Sequence, residues 1–510
     1  MKRHATALIA SLGVGLLSGC DLAPVYEPPH FILPESYQGS GPFGVAHPDE
    51  ALSPRGDWWT LFGDEQLNQL EDQLGHSNPT LQAAADAYSQ ARALAAEAES
   101  GLSPQVSASA GVSENKGSVH RLFRSPTSSA PIREASNQFG VAASWEPDFW
   151  HALRNGAHAQ KRLAQASAAD LATAQLSLQA ELATDYIAVR GLDAQLEVLR
   201  QSIVSYQAAV EVARLRASGQ IASGLDLARA LSQLDAAQAQ QTETQLQRDL
   251  MQHAVAVLVG ALPSTFSIAP ISEFRLTPPR LPTGVPSELL QRRPDIASAE
   301  RQMAAANASI GVSRAAFYPN VTFNLAGGFQ DSGFNLLSLP NSLWSVGAGA
   351  MQPLFDGGLR RAQLRHSWAQ YAQTRDNYRA TVLAAFQEVE DGLSQTQRLA
   401  TEDTHEREAS DQAGQALSIA TLLYKDGLDN YLSVSVAQVQ ALATQLTDVQ
   451  IRVRRVQSAV SLIRALGGGW TVQVLPDEKQ TLQFTQSDYG VSVMHAADAP
   501  GTGAAASLKR

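Results

Sequence analysis

The chain has 510 residues, a net charge of −11 and a single cysteine. One cysteine excludes an intrachain disulfide and a multi-cysteine metal cluster, and an acidic chain without a long Lys/Arg run is a poor nucleic-acid binder. Apolar residues make up 44%, mostly Ala, Leu and Val, which is too many for wholesale disorder; no run of 18 apolar residues offers a transmembrane helix.

Residues 1–19 read as a signal peptide: Lys2 and Arg3 form a basic start, and Ala5 to Leu17 a short apolar run. Leu17-Ser18-Gly19-Cys20 resembles the lipobox of bacterial lipoproteins, in which the cysteine thiol receives diacylglycerol and an acyl chain such as palmitate. The alternative is an incidental cysteine. Asp21 directly after it resembles an inner-membrane retention signal of some bacteria. Residues 20–57 are rich in Pro and Gly, so they are expected to form an extended, lipidated tether.

From residue 58 the chain is written twice, with a first repeat at 58–270 and a second at 271–470. Asn78-Pro79-Thr80-Leu81 matches Arg293-Pro294-Asp295-Ile296, and Ser103-Pro104-Gln105-Val106 matches Tyr318-Pro319-Asn320-Val321. Glu146-Pro147-Asp148-Phe149 matches Gln352-Pro353-Leu354-Phe355. Gly219 is matched with Gly427, and Leu258-Val259-Gly260 with Ala465-Leu466-Gly467. Each copy opens with an Ala-rich helix (79–102 and 294–317), with Pro at a first-turn position where its missing N–H costs nothing. A hairpin follows, then a helix of more than 60 residues (151–217 and 357–425), a glycine break and a further helix.

In the first hairpin Val106, Ala108, Ala110 and Val112 alternate with Ser107, Ser109, Gly111 and Ser113. In the second, Val321, Phe323, Leu325, Gly327 and Phe329 alternate with small or polar residues. Ten-residue segments of this kind are the weak signature of membrane barrel strands, and a sheet half-buried on a soluble core is the alternative. Aromatics at the segment ends (Trp145, Phe149, Trp150, Phe329, Phe334, Trp344, Phe355) suit interfacial girdles. The loops at 116–134 and 332–341 would then face outside. Four strands cannot close a barrel, whose bacterial minimum is about eight. If they span a membrane, several chains must share it. The long helices have small or medium apolar residues and suit a coiled coil with a thin seam; a structural coiled-coil scaffold is the other possibility.

Signals for catalysis are poor. His151 and His158 are seven apart without a third ligand. Gly467-Gly468-Gly469 lacks the context of a phosphate loop. No enzyme, metal or cofactor is expected beyond a covalent lipid on Cys20. At the second helix break, Gly427 suits a left-handed position after a helix end and Asp429 suits a cap of the next helix. In the first copy Gly219 with Ser223 or Asp226 is assigned the same duties. In a ring of chains, Tyr424, Asp429 and Leu432 would narrow one end. The tail, residues 471–510, is expected to be flexible and poorly ordered.

LLQRRPDIASAERQMAAANASIGVSRAAFYPNVTF (289–323) resembles the signature of TolC-like outer-membrane efflux proteins, in the lipoprotein branch called the NodT type. WWTLFGDEQLNQL (58–70), QPLFDGGLRRAQL (352–364), GLDNYL (427–432) and ALGGGW (465–470) are similar to the same branch. The resemblance implies an α+β, mostly helical fold, with a homotrimer sharing a twelve-stranded β-barrel and a helical tube. It also implies a periplasmic adaptor and an inner-membrane efflux pump as partners, with drugs, toxic compounds or metal ions as cargo. A protein-secretion duct of the same fold is the second possibility. Family members often carry aspartates just beyond the second turn. Here Val436 stands at that place, so an acidic ring is not expected and Leu432 remains as an apolar constriction.

Overall fold

The computed structural model describes residues 21–31, 37, 56–116, 118, 133–221, 223–279 and 289–484. After a 3-10 turn at Trp58–Phe62 comes α1, Glu65–Ser77. The first copy follows as α2 (Pro79–Ser100), β1 (Gln105–Lys116), β2 (Arg133–Trp145), α3 (Ala152–Ser218) and α4 (Gly224–Leu258). The second is α5 (Pro294–Ala315), β3 (Asn320–Asp331), β4 (Ser342–Met351), α6 (Leu359–Lys425) and α7 (Tyr431–Ala465). Corresponding helices have equal lengths of 22, 67 and 35 residues. At about 1.5 Å per residue, α3 and α6 each reach about 100 Å.

In each copy the 35-residue helix runs back along one end of the 67-residue helix, and the 22-residue helix lies along the other. The two shorter helices meet end to end. Asn78 caps α2 by accepting from the Leu81 amide at 2.8 Å, and its Nδ2 donates to the Leu258 carbonyl at the end of α4, 2.7 Å away. In the second copy Arg293 takes that place: its Nη1 donates to the Ala465 carbonyl at 3.0 Å, and its guanidinium also binds Asp295 and Glu388. Both helix ends then turn through a left-handed glycine, Gly260 (φ 69°) and Gly467 (φ 93°). A Cβ at either would collide with a carbonyl oxygen, that of Ser77 or of Arg292. The RRPD and ALGGGW sequences are thus two halves of one junction.

The largest core lies at mid-length. Trp58, Trp59, Phe62, Leu67, Leu70 and Leu74 pack on Leu182, Tyr186 and Ile187 of α3, with Val453, Val456 and Val460 of α7 in the same cluster. Asp64 caps α1 by accepting from the Gln66 and Leu67 amides at 3.0 Å, and accepts from the Tyr186 hydroxyl at 2.9 Å. Arg190 donates to that hydroxyl at 2.9 Å and, with Arg248, pairs with the buried Asp193. The two guanidiniums also hold the carbonyls of Ala269 and Ile268, each at 2.7 Å, so the connection between the repeats is pinned to α3 and α4.

Both ends of the described chain dock on this body. Residues 21–31 are extended, as their prolines require, and run along α5. The Leu22 carbonyl accepts from Arg314 at 3.0 Å, the Pro24 carbonyl from Asn307 at 2.8 Å, and Glu300 from the Tyr26 hydroxyl at 2.5 Å. Asp21 accepts from Asn155 Nδ2 at 3.0 Å. Cys20 and the signal segment lie outside the described residues, as do residues 119–132 of the first hairpin loop.

The described part of the tail, residues 471–484, differs from its expectation, and the rest lies outside the described residues. Residues 472–484 hold a 3-10 turn and a short helix, α8 (Glu478–Thr481), with a capping box between Asp477 and Gln480. Glu478 pairs with Arg162 at 2.9 Å and His158 at 3.1 Å, and Gln165 donates to the Pro476 carbonyl at 2.9 Å. His158 therefore serves the tail, while His151 stands before α3 in a left-handed conformation (φ 54°). No apolar period marks this tail, because side chains of distant helices hold it.

The four strands form one antiparallel sheet in the order β1-β2-β3-β4. Their register puts every apolar series on one face: Ala110 opposite Phe139, Phe139 opposite Phe329, Leu325 opposite Val346, Gly327 opposite Trp344. Ser107, Ser109, Ser144, Asn324 and Ser345 fall on the other face, with Leu343 and Met351 near the ends of β4. Trp145 and Phe323 stack at 6.2 Å at one end of the strands, and Trp150 and Tyr318 at 4.7 Å just beyond it.

Candidate functional site at the helix turns

At the ends of the helices farthest from the sheet, each copy makes one sharp turn. After α6 the Leu428 amide donates to the Leu423 carbonyl at 2.9 Å and the Gly427 amide to that of Tyr424 at 3.1 Å, with Gly427 at φ 78°. This is the Schellman closure, in which a left-handed residue satisfies the last carbonyls. The first copy repeats it one residue later than the glycine match implies. The Ile221 amide donates to Arg216 at 2.9 Å and the Gln220 amide to Ala217 at 3.1 Å, and Gln220 itself is left-handed at φ 56°. Gly219 lies in the turn as the C-cap of α3, but its φ of −77° is one any residue adopts, and the left-handed place falls to Gln220. The helices on either side of the turn keep a spacing of 207 positions between the copies, so the partner of Gly427 is Gln220.

The cap is also displaced by one. Asn430 caps α7: its side-chain oxygen accepts from the Leu432 amide at 3.0 Å and the Ser433 amide at 3.4 Å. The Asp429 carboxylate instead accepts from the Asn430 amide at 2.7 Å and reaches no helical N–H. The helix begins at Tyr431, so only residue 430 has the reach to cap it. Ser223 caps α4 as expected, accepting from the Leu225 amide at 3.0 Å, and Asp226 sits in the first turn, where the helix dipole favours a negative charge.

Behind the turns lies a small core that joins the two copies: Val210 and Ala213 of α3, Ala230 of α4, and Tyr424, Tyr431 and Val434. The two tyrosine rings meet edge to face at 5.4 Å, and the Arg216 guanidinium lies 4.6 Å from the Tyr424 ring. Tyr431 donates to Gln438 Oε1 at 3.3 Å, and Tyr206 to the Gln438 carbonyl at 3.0 Å. Burial, reinforced by Tyr424, Tyr206 and Asp226, pushes the Tyr431 phenol up to about 12. Tyr424 is only 3% exposed. It braces the turn from within and does not line an opening.

The exposed side is apolar. Leu432 (48% exposed) and Val436 (61%) lie one helical turn apart on α7, and Leu428, Val439, Ile221 and Leu225 are exposed nearby in sequence. Sequence reasoning named Leu432 and Val436 but missed the first-copy pair. Doubling the turn across the repeat places Leu225 where the second copy has Leu432, so the signal was present.

A repeated long-hairpin body carrying a four-stranded sheet, with one face apolar along the middle of its strands, defines a membrane-channel type of chain. The family model described as "Outer membrane efflux protein" matches it twice, over residues 70–261 and 285–468, and the chain belongs to that family. It is 31% identical over 424 residues to the pyoverdine export outer membrane protein OpmQ of Pseudomonas aeruginosa, covering 81% of this chain and 87% of that one. It is 29% identical over 487 residues to the toluene efflux pump outer membrane protein TtgF of Pseudomonas putida, covering 92% and 98%. Among solved structures, the outer-membrane channel OprN superimposes with a TM-score of 0.81 at 26% identity, over 88% of this chain and all of that one. The chain is an outer-membrane protein whose helices extend into the periplasm.

Proposed function

We propose that three copies of this chain form a gated duct. It exports small molecules that an inner-membrane pump delivers through a periplasmic adaptor. The observation that carries the proposal is the sheet. Its apolar face suits lipid, yet among the described residues no element covers either face and both edge strands, β1 and β4, lack an outer neighbour. In a bilayer each unpaired edge amide costs several kcal/mol, and closure needs about eight strands or more. Three copies joined β4 to β1 give twelve strands and no edge. The alternating run from Val321 to Phe329, at about 3.4 Å per residue and a barrel tilt of about 40°, gives roughly 20 Å of apolar height, close to an outer-membrane band.

The turns at 424–436 then converge at the periplasmic end. Leu432 forms an apolar ring, Val436 leaves that ring without an acidic neighbour, and the Tyr424–Arg216 stack fixes the turn behind it. Acylation at Cys20 adds an anchor in the same membrane. The relatives are named for unlike cargoes, pyoverdine and toluene. This supports a duct that leaves selection to its pump.

Cysteine pairs placed on the two edge strands, Ser109→Cys on β1 with Ser345→Cys, Gly347→Cys or Gly349→Cys on β4, test the arrangement in a Cys20→Ser background. Oxidation in membranes yields covalent trimers as the largest species for the matching register. Ladders that run past the trimer, or no inter-chain product from any pair, overturn it.

A further inference from the structure

Glu71 is the odd residue of α1. The inward stripe of that helix is Leu67, Leu70 and Leu74, and Glu71 completes it at the i+4 position. The side chain is 1% exposed, and neither carboxyl oxygen has a hydrogen-bond partner. The same module leaves the Trp58 indole N–H and the Asn68 side-chain oxygen buried without partners. Among the described residues, the elements packed against α1 supply no cation for Glu71. The 3-10 turn at Trp58–Phe62 carries no charge, and the nearby turn after α4 contributes the Val259 carbonyl, which holds Gln73. Residue 37 brings a phenol to the same core. Along the stretch of α3 in this core, 180–194, the titratable groups are Glu181, Asp185, Tyr186, Arg190 and Asp193. Arg190 is committed to Tyr186, Asp193, Gln66 and the Ala269 carbonyl. Asp64 is committed to the helix cap and Tyr186. A carboxylate without a donor or counter-charge in this core is costly, so the neutral acid is the form that fits.

We propose that residues 58–77 form an acid-stabilised clamp on α3, seated while Glu71 is protonated and loosened when it ionises. Burial alone raises the Glu71 carboxyl to about 9, while a free glutamate titrates near about 4.3. The seated form therefore keeps a proton that the released form gives up. The clamp is tightest below about pH 4.3 and weakens as pH rises, by up to about tenfold per pH unit, until the folded group itself titrates. This holds whether or not the chain forms a duct.

Hydrogen exchange on the full-length protein in detergent micelles, followed across about pH 5 to pH 9 and corrected for chemical exchange, reads the clamp directly. Relative to Glu71→Gln and Glu71→Leu, the wild-type opening equilibrium of the α1 amides rises by up to tenfold per pH unit, while amides at the start of α4 show no such difference. Equal pH slopes in the wild type and Glu71→Gln overturn the proposal. If both variants lose the module, the infrared band of a protonated carboxyl decides. Its presence in the wild type at neutral pH supports the clamp, and its absence refutes it.

Discussion

At the helix turns a difference of one residue decides the chemistry. Asn430 has the extended backbone and the side-chain reach of a cap, whereas the Asp429 carboxylate stops at the Asn430 amide. Asn430→Ala is expected to destabilise the start of α7 by about 1 kcal/mol. Asp429→Ala is expected to stay within about 0.5 kcal/mol of wild type. Amide exchange over the first turn of α7 separates the two. Gln220 bears a side chain in a left-handed position that costs an L-residue about 1–2 kcal/mol. Gln220→Gly is therefore expected to gain about 1 kcal/mol, seen as slower exchange at the end of α3. The sequence showed a turn here and not its phase. Gly219 invites pairing with Gly427 by identity, but only backbone geometry distinguishes a helical glycine from a left-handed one. Tyr424 was misplaced for a related reason: next to a turn, an aromatic that lines an opening and one that braces it look the same until burial is known.

At the level of elements far more was legible. The repeated Pro-led helices, the hairpins and the long helices all lie within about three residues of their expected bounds, because periodicity and Pro/Gly punctuation are local signals. The two junctions between shorter helices were visible only as motifs. Their meaning, a cap side chain of one helix held by the last carbonyl of another, needs the fold. Gly467→Ala puts a methyl group against the Arg292 carbonyl at a left-handed position. It is expected to cost about 2 kcal/mol or more, read as a lower denaturation midpoint and a smaller trimer yield, and Gly260→Ala should behave alike. The docked strap at 21–31 and the tail at 472–484 were not legible as packed segments. Both are held by single side chains of helices hundreds of positions away in sequence, and neither has a period of its own.

For the molecule as a whole, an apolar sheet face and two free edges demand partners, and the family supplies the class of assembly. Acylation makes a separate expectation: a palmitate analogue should label the wild type and not Cys20→Ser, with equal labelling contradicting the anchor. In the proposed trimer, gating would rest on the exposed apolar side of the turns, where a narrow ring of leucine would resist wetting. Val436→Asp would add three close carboxylates and raise cation preference in reversal-potential measurements. The central claim is tested most directly by single-channel conductance of the purified protein in planar bilayers, wild type against Leu432→Ser. A gated duct predicts small openings for the wild type and clearly larger ones for the variant at equal trimer content. No channel activity in either protein, or identical conductance in both, would contradict it.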